Sequence, residues 1–391
     1  MSELPFDGLK VVDLSQGVAG PHCGMLMAQH GADVVKIEPI AGDWGRAIGR
    51  QYGDFCAYNV AFNRGKRSIA LDLKTPGGLD AARRLLRRAD VVIENYRPGV
   101  LARFGLDYPS LRRDNADVIY VSVTGFGQTG PRAPLPATDS ILQAYSGLMS
   151  VNRDSTGMPQ RVGVLVIDVV TGLYAFQSAS TSLYRRALGG GGRHVSVSLQ
   201  ESIGAVQAAK MIEFHLEGPD GEKAGVPVAT YRTADGYMTI NARRDAHFVA
   251  LCELLDCPEL AEDPRFTTPA LRREHEDALM PTLIERVRGW ESEALAAALV
   301  ERDILHARVN DYSDYFEDEH VEAVQSVHWI DHPEMGQIPM HNIPGLATPQ
   351  AGTPLAVSPR IGEHSREVLM DLAFSDADIA AALDEGAVAE G

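Results

Sequence analysis

Apolar and polar positions alternate with two different periods along the first half of the chain. Short apolar runs at Val11–Leu14, Val34–Ile37, Ser68–Leu73, Val91–Glu94 and Val118–Thr124 have the length and β-branched content of buried strands. Between them, Pro21–His30 and Pro76–Ala89 repeat their apolar residues at helical spacing, and Gly99–Phe104 is a shorter helical piece. Strands alternating with helices predict a mainly parallel, Rossmann-like sheet covered on both faces, so the expected fold class is α/β. After the proline-rich passage at Pro131, Pro134 and Pro136, helices are expected over Ser140–Ser150 and Asp168–Leu188. Gly189–Gly192 stops the second of these before a strand at Val195–Leu199.

A different pattern begins near Gly225. Tyr231–Ala242 reads as a hairpin around Asp235-Gly236, followed by helices at His247–Leu255, Leu279–Val287 and Ser292–Glu301, which predicts a smaller α+β domain. Beyond about Asp318 the pattern turns to short β and loop. A helix at Ser365–Leu372 is expected to pack back on the first domain, with a frayed, acidic end from about Ser375. The expected division is residues 1–224 for the first part of a large domain, 225–325 for the small domain, and 326–391 for a return to the large domain and the tail.

Composition narrows the function classes. A chain of 391 residues with 45% hydrophobic content supports ordinary buried cores. The formal charge of −17, from 53 acids against 36 bases, argues against a surface that binds nucleic acid as a whole, so an anionic ligand has to find a local basic patch. Cys23, Cys56, Cys252 and Cys257 form no CxxC pair and read as reduced thiols of a cytoplasmic protein. The opening MSELPFDGLK lacks an export signal, and no apolar stretch approaches the roughly 18 residues of a membrane span, so no membrane partner is expected.

Several motifs lose their chemistry in context. Gly125-Phe-Gly-Gln-Thr-Gly130 matches a dinucleotide-binding string, yet Pro131, Pro134 and Pro136 prevent the helix whose N-terminus would meet a pyrophosphate. Glu38 stands about 20 residues after Gly17, where a ribose-binding acid would sit, but the glycines Gly17, Gly20 and Gly24 leave that turn one short. His328 and His332, near Asp331 and Glu334, lack the helix that would put them on one face, and no metal is expected. Arg83, Arg84, Arg87 and Arg88 read as a solvated helix face. Two basic groups remain. Arg64, Lys66, Arg67 and Lys74 flank one strand, and Asn95-Tyr96-Arg97-Pro98-Gly99 with Arg103 follows the next, where open parallel sheets bind ligands. Both suit phosphates.

Taken in order, these segments resemble the family III CoA-transferases, the family of formyl-CoA transferase, CaiB-type enzymes and α-methylacyl-CoA racemase. The likeness spans nearly the whole chain. It is carried by Leu9-Lys-Val-Val-Asp-Leu-Ser with Ala19-Gly20-Pro21, Gly31-Ala-Asp-Val-Val-Lys-Ile-Glu-Pro39, Lys66-Arg-Ser-Ile-Ala-Leu-Asp-Leu-Lys74, Asp90-Val-Val-Ile-Glu-Asn-Tyr-Arg-Pro-Gly99 and Thr124-Gly-Phe-Gly-Gln-Thr-Gly-Pro131. The resemblance implies contacts to coenzyme A from Val18, Leu71, Leu73, Lys74, Asn95, Tyr96, Arg97, Arg103 and Phe104. It implies a catalytic aspartate at Asp168, in Val164-Leu-Val-Ile-Asp168-Val-Val-Thr-Gly172. It further implies an interlocked homodimer, acyl-CoA and a small carboxylic acid as substrates, and no tightly bound cofactor.

An aspartate suits the chemistry, because a carboxylate that attacks a thioester forms a mixed anhydride and keeps the acyl group activated. A helix N-terminus is expected to favour its ionised form, and the plainer reading of Asp168 is a helix cap. Two other functions stand beside transfer. A racemase on the same fold needs two acid/base groups about the acyl Cα, and the histidine of its GHD-like segment is missing from Gly127–Gly130 and Ala137-Thr138-Asp139. A non-catalytic CoA-binding protein would keep the basic groups without turnover. The family pattern is broken at Thr138, where an aromatic is usual, and at Ile304–Asp311, where a proline-containing segment is common. The glycine loop of formyl-CoA transferases is not evident around Tyr231–His247. These departures leave the acyl donor and the acceptor open.

Overall fold

The computed structural model describes residues 4–154, 156–219 and 225–391. Residues 1–3 of the opening segment and residue 224, the expected end of the first large-domain segment, lie outside the described residues. The chain divides into two compact units, Met1–Ala208 with Gln325–Gly391, and Ala209–Val324.

The first unit is built on β1 (Lys10–Asp13), β2 (Asp33–Glu38), β3 (Arg67–Leu71), β4 (Val91–Glu94), β5 (Ile119–Thr124) and β6 (Arg193–Ser198). They form a sheet in the order β3-β2-β1-β4-β5-β6, every neighbouring pair parallel. Both faces are covered, and alternate residues of each strand explain how. Val11, Val34, Val91, Ile93, Ile119 and Val121 point to a core shared with α1 (Ala19–Gln29) and, beyond it, α4 (Val166–Arg185). Val12, Val35, Ile37, Ile69, Val92 and Tyr120 point to the opposite core, with Ala81, Leu85 and Leu86 of α2 (Pro76–Arg87). Each such fully buried aliphatic side chain contributes about 1.5–3 kcal/mol. The exposed face of α2 carries Arg83, Arg84 and Arg87, and Arg88 is exposed at its C-terminal cap, as expected.

From β1 the chain moves outward through β2 and β3, then returns to the other side of β1 for β4, β5 and β6. The reversal lies between β1 and β4, and the crevice at their carboxyl ends is the ligand position of an open parallel sheet. Helices α1 and α4 approach closely because Gly172 has no side chain: a Cβ there would lie 2.8 Å from the Ala19 carbonyl oxygen.

Three expectations change. The helix over Ser140–Ser150 breaks at Gly147, whose φ of +89° belongs to the left-handed region, so α3 covers only Asp139–Tyr145 and a single turn, Leu148–Val151, follows. Asp168 does not open its helix, which begins two residues earlier at Val166. The tail is not frayed. Ser375 and Asp378 form a capping box at the start of helix Asp376–Asp384, Ile379 and Ala382 are buried, and Val388–Ala389 pairs antiparallel with β3. Acidic residues in that helix's first turn complement its dipole, which is why an acidic segment holds structure there. Helix Ser365–Asp371 packs on the sheet as expected, with the Ser365 hydroxyl accepting from the Ala70 N–H at 3.2 Å and donating to the Ala389 carbonyl at 2.6 Å.

In the second unit, β7 (Val228–Arg232) and β8 (Tyr237–Asn241) form the expected hairpin, and β9 (Leu305–Arg308) extends it antiparallel. Helices Asp245–Leu254, Glu276–Arg288 and Ser292–Val300 pack Phe248, Leu251, Leu279, Leu283, Leu295 and Leu299 onto Tyr231, Met238 and Ile240. His328 and His332 lie in the first unit on β10 (Val327–His332), paired with β11 (Gly336–His341). Among the described residues no helix is long and apolar enough to cross a membrane, and no group of three or more His, Cys, Asp or Glu residues is arranged to hold a metal ion.

Candidate active site

The loops that follow β1 and β4 are joined by one side chain. The Asn95 carboxamide accepts from the Gln16 N–H at 2.9 Å and donates to the Gln16 carbonyl at 2.6 Å, fastening the two strand ends across the reversal point. Gln16 in turn donates through Nε2 to the Tyr96 hydroxyl at 3.3 Å. Beside this junction lies a cleft of about 380 Å³ whose lining includes Gln16, Trp44, Asn95, Tyr96, Arg97 and Leu135–Ala137. Arg97 is exposed.

Trp44 is held over the cleft by buried charge. Lys36 of β2 pairs with Asp43 at 2.9 Å and donates to the Ser15 carbonyl at 2.7 Å, while Asp43 Oδ1 accepts from the N–H groups of Gly17 and Gly45. The indole then packs on Gly17, where any Cβ would come within 2.3 Å of the ring. Trp44 also lines a second cleft, of about 600 Å³, together with Ile48, Tyr58, Asp139, Gln143, Gln160–Leu165 and Asp168. Trp44 is thus the wall shared by the cleft at the strand ends and the cleft at Asp168.

The first turn of α4 has its backbone N–H groups already engaged. Val166 and Val169 donate to Val164 and Leu165, and Ile167 and Asp168 donate to Oδ2 of Asp139 at 2.7 and 3.2 Å. Asp139, buried on α3, is therefore the cap of a helix that starts 27 residues later, and Asp168 itself makes no cap. Gln143, one turn along α3, donates to Asp139 at 2.6 Å and accepts from the Val162 N–H at 2.9 Å, so α3 also holds the strand of chain that leads into α4.

This arrangement reverses the electrostatic expectation for Asp168. Burial first, and the neighbouring Asp139 charge second, push its carboxyl from 3.8 up to about 7. The helix N–H groups that would have favoured the anion serve Asp139 instead. The carboxylate is consequently more basic than an ordinary aspartate, and still partly open to the cleft. Nearby His22 donates through Nδ1 to the Val169 carbonyl at 3.1 Å, and burial holds its ring down to about 4, so it packs as a neutral side chain.

Three of the four bases in the first basic group are engaged by the protein itself. Lys66 is fully buried and donates to Asp13, Pro21 and Asn63 at 2.7–2.8 Å, which ties α1 to β1. Burial pulls its ammonium down to about 8, against the opposing pull of Asp13. Arg64 is buried and donates to the His341 carbonyl at 3.1 Å. Arg67 is engaged by Asp33, Glu367 and Asp371. Only Lys74 of that group is exposed and unpaired among the described residues. Glu38 is likewise unavailable to a ribose, because both its oxygens receive the Arg46 guanidinium, at 2.6 and 2.7 Å, and Ser68 donates to one of them.

Of the residues assigned to coenzyme A by resemblance, Asn95, Tyr96 and Arg97 meet in the strand-end cleft, although the Asn95 amide is engaged with Gln16. Tyr96, Leu73 and Phe104 pack half-buried on one apolar cluster. Val18 and Leu71 are buried, at the start of α1 and the end of β3. Lys74 and Arg103 are exposed outside the lining of either cleft. Sequence reading passed over Trp44, Gln143 and Arg161, and met Asp139 only as the neighbour of Thr138. Asp139 looks locally like the first residue of its own helix, and nothing nearby in sequence signals that it caps another.

Comparison with known proteins agrees along nearly the full length. The chain is 36% identical to a succinate–glutarate CoA-transferase of Agrobacterium fabrum, over 94% of this chain and 96% of that one. It is 33% identical to a succinyl-CoA–D-citramalate CoA-transferase of Chloroflexus aurantiacus, over 94% of each. A crystal structure of a CaiB/BaiF family protein from Brucella suis superposes with a TM-score of 0.85 at 34% identity, covering 95% of this chain and all of the other. The family model for CoA-transferase family III matches residues 6–365, and with a parallel-sheet cleft, a carboxylate beside it and these relatives, the chain belongs to the family III CoA-transferases and is a CoA-transferase.

Proposed function

We propose that the protein moves CoA between an acyl-CoA and a free carboxylic acid, with Asp168 as the covalent nucleophile. One observation carries this reading: the Asp168 carboxylate lines a cleft whose Trp44 wall is shared with the cleft of Asn95, Tyr96 and Arg97. CoA phosphates near Arg97, and near Lys74 and Arg103 farther out, would leave the thioester to reach past Trp44 towards Asp168. The carboxylate attacks the thioester carbonyl, forming an acyl-aspartyl anhydride and expelling CoA thiolate. Thiolate attack on the aspartyl carbonyl releases the donor acid and leaves an aspartyl-CoA thioester. The acceptor carboxylate attacks that thioester, and the expelled thiolate then takes the new acyl group from the second anhydride, restoring Asp168.

A carboxyl held near neutrality suits both halves of this cycle, being ionised enough to attack at pH 7 and basic enough to be a good nucleophile. Replacing Asp168 by Ala is expected to leave acyl-CoA binding, read by calorimetry, within about twofold, and to lower acyl transfer by at least roughly 10³-fold. Near-normal transfer by that variant rules out the assignment.

Residues 1–208 with 325–391 serve in this reading as the large CoA-binding domain, and 209–324 as the small one. We also propose the homodimer. Ile141, Tyr145, Leu173, Tyr184 and Leu188 of the first unit, and Ile212, Phe214 and Leu216 of the second, leave more large apolar surface exposed than a solitary chain ordinarily does. Light scattering is expected to return twice the 42.3 kDa chain mass; a monomer at micromolar concentration excludes the dimer.

A further inference from the structure

The cleft over Asp168 carries two acids, Asp139 and Asp168, and one base, Arg161. Arg161 is exposed, and among the described residues its guanidinium makes no hydrogen bond or ion pair. The nearby Arg153 differs, since it is folded back onto the carbonyls of Ser150 and Gly157. The backbone on each side of Arg161 is nevertheless fixed. Gln160 exchanges bonds with Asn152, N–H to carbonyl at 2.7 Å and side chain to carbonyl at 3.0 Å, and its own amide donates to Asp154 at 2.9 Å. Val162 donates to Gln143, the same side chain that braces Asp139. A free guanidinium on a braced backbone is a planar fork prepared for a carboxylate.

The rest of the wall suits what lies between two carboxylates. Ile48, Val162, Val164 and Leu165 are apolar, and they line the same cleft as the fork and Asp168. An approaching dianion meets the negative Asp139 and Asp168 and a chain of net charge −17, so a local cation is needed to hold it.

We propose that Arg161 binds the far carboxylate of a dicarboxylic acid whose near carboxyl reacts at Asp168, so that the substrates are short dicarboxylates and their mono-CoA thioesters. This rests on the reading of Asp168 given above. The donor's thioester carbonyl and the acceptor's attacking carboxylate visit the same side chain in turn, so one arginine serves both half-reactions. No bond to Arg161 forms or breaks, and the exchange needs no redox partner.

The test compares two acceptors of equal chain length, glutarate and pentanoate, with succinyl-CoA as the common donor, so that any effect on the donor cancels in the ratio of their kcat/KM values. The wild-type enzyme is expected to prefer glutarate, and Arg161→Gln to lower that preference by roughly 10- to 100-fold through the KM for glutarate. Arg161→Lys, which keeps the charge without the fork, is expected to fall between the two. Because Arg161 is exposed and unpaired, both variants keep the wild-type Tm within about 1 °C. An unchanged ratio in both variants overturns the proposal, as does a wild-type enzyme that prefers pentanoate or accepts neither acid from succinyl-CoA. Transfer from acetyl-CoA to pentanoate in that last case leaves the Asp168 reading intact, whereas normal transfer by Asp168→Ala removes that reading instead.

Discussion

The basic segments beside β3 and β4 look alike in sequence and have opposite fates. Around β3, Arg64, Lys66 and Arg67 all turn to internal partners, whereas after β4 Arg97 stays exposed in a cleft. The difference lies in the acids within reach. Asp13 ends β1, two strands across the sheet from β3, with its carboxylate on Lys66, and Asp33, Glu367 and Asp371 surround Arg67. A buried ammonium is tolerated only when paired, so Lys66 and Asp13 are structural together. Charge density along a sequence therefore marks where cations are, while tertiary pairing decides which remain free for a ligand.

Matched substitutions test this contrast most severely. Lys66→Met leaves the Asp13 carboxylate buried without its cation and is expected to cost about 3–5 kcal/mol, measured as a lower urea midpoint at unchanged slope. Arg97→Ala is expected to change stability by less than about 0.5 kcal/mol, yet to raise the KM for acyl-CoA by roughly tenfold. Comparable losses of stability in the two variants would erase the distinction. A tighter outcome, with Lys66→Met unfolded and Arg97→Ala indistinguishable from wild type in acyl-CoA affinity, would keep the structural half and remove Arg97 from the ligand.

Much of this architecture was legible from periodicity. The strands from β1 to β5 and the helices α1, α2 and α4 follow apolar runs whose spacing leaves little choice, because a sheet buried on both faces needs continuous Val and Ile. The C-terminal helix Asp376–Asp384 escaped because its core contribution is small, chiefly Ile379 and Ala382, and its acids look like a solvated end. The site was legible in part. Asp168 stood out by resemblance, and Asn95-Tyr96-Arg97 by position after a strand. Three features depend on contacts between distant segments and left no local trace: Trp44 as a shared wall, Arg161 as an unpaired fork, and Asp139 as the cap of α4. The same distance misled the reading of Asp168, since a helix N-terminus favours an anion only while its N–H groups are free.

That last point gives the smallest and most selective expected effect. Asp139 contributes less than burial to the raised Asp168 carboxyl, so removing its charge moves only part of the shift. Asp139→Asn keeps an oxygen able to accept from the Ile167 N–H, limiting the loss of capping to roughly 0.5–1 kcal/mol. If the ionised Asp168 is the attacking form, wild-type kcat/KM for acyl-CoA falls below an acid limb near 7, and in Asp139→Asn that limb moves down by on the order of half to one pH unit. Stability obeys the linked sign. A carboxyl raised from 3.8 to about 7 favours the fold at low pH and loses that advantage as the pH rises through 7, because the folded chain binds the proton more tightly. The wild type thus loses stability between about pH 4 and pH 8 that Asp168→Asn does not, a difference of about 1–2 kcal/mol once solvent access to the carboxylate is allowed for. Asp139→Asn is expected to fall between them. A limb that stays at its wild-type position in Asp139→Asn, while Asp168→Asn still shows the stability difference, would assign the whole shift to burial and leave Asp139 as a cap alone.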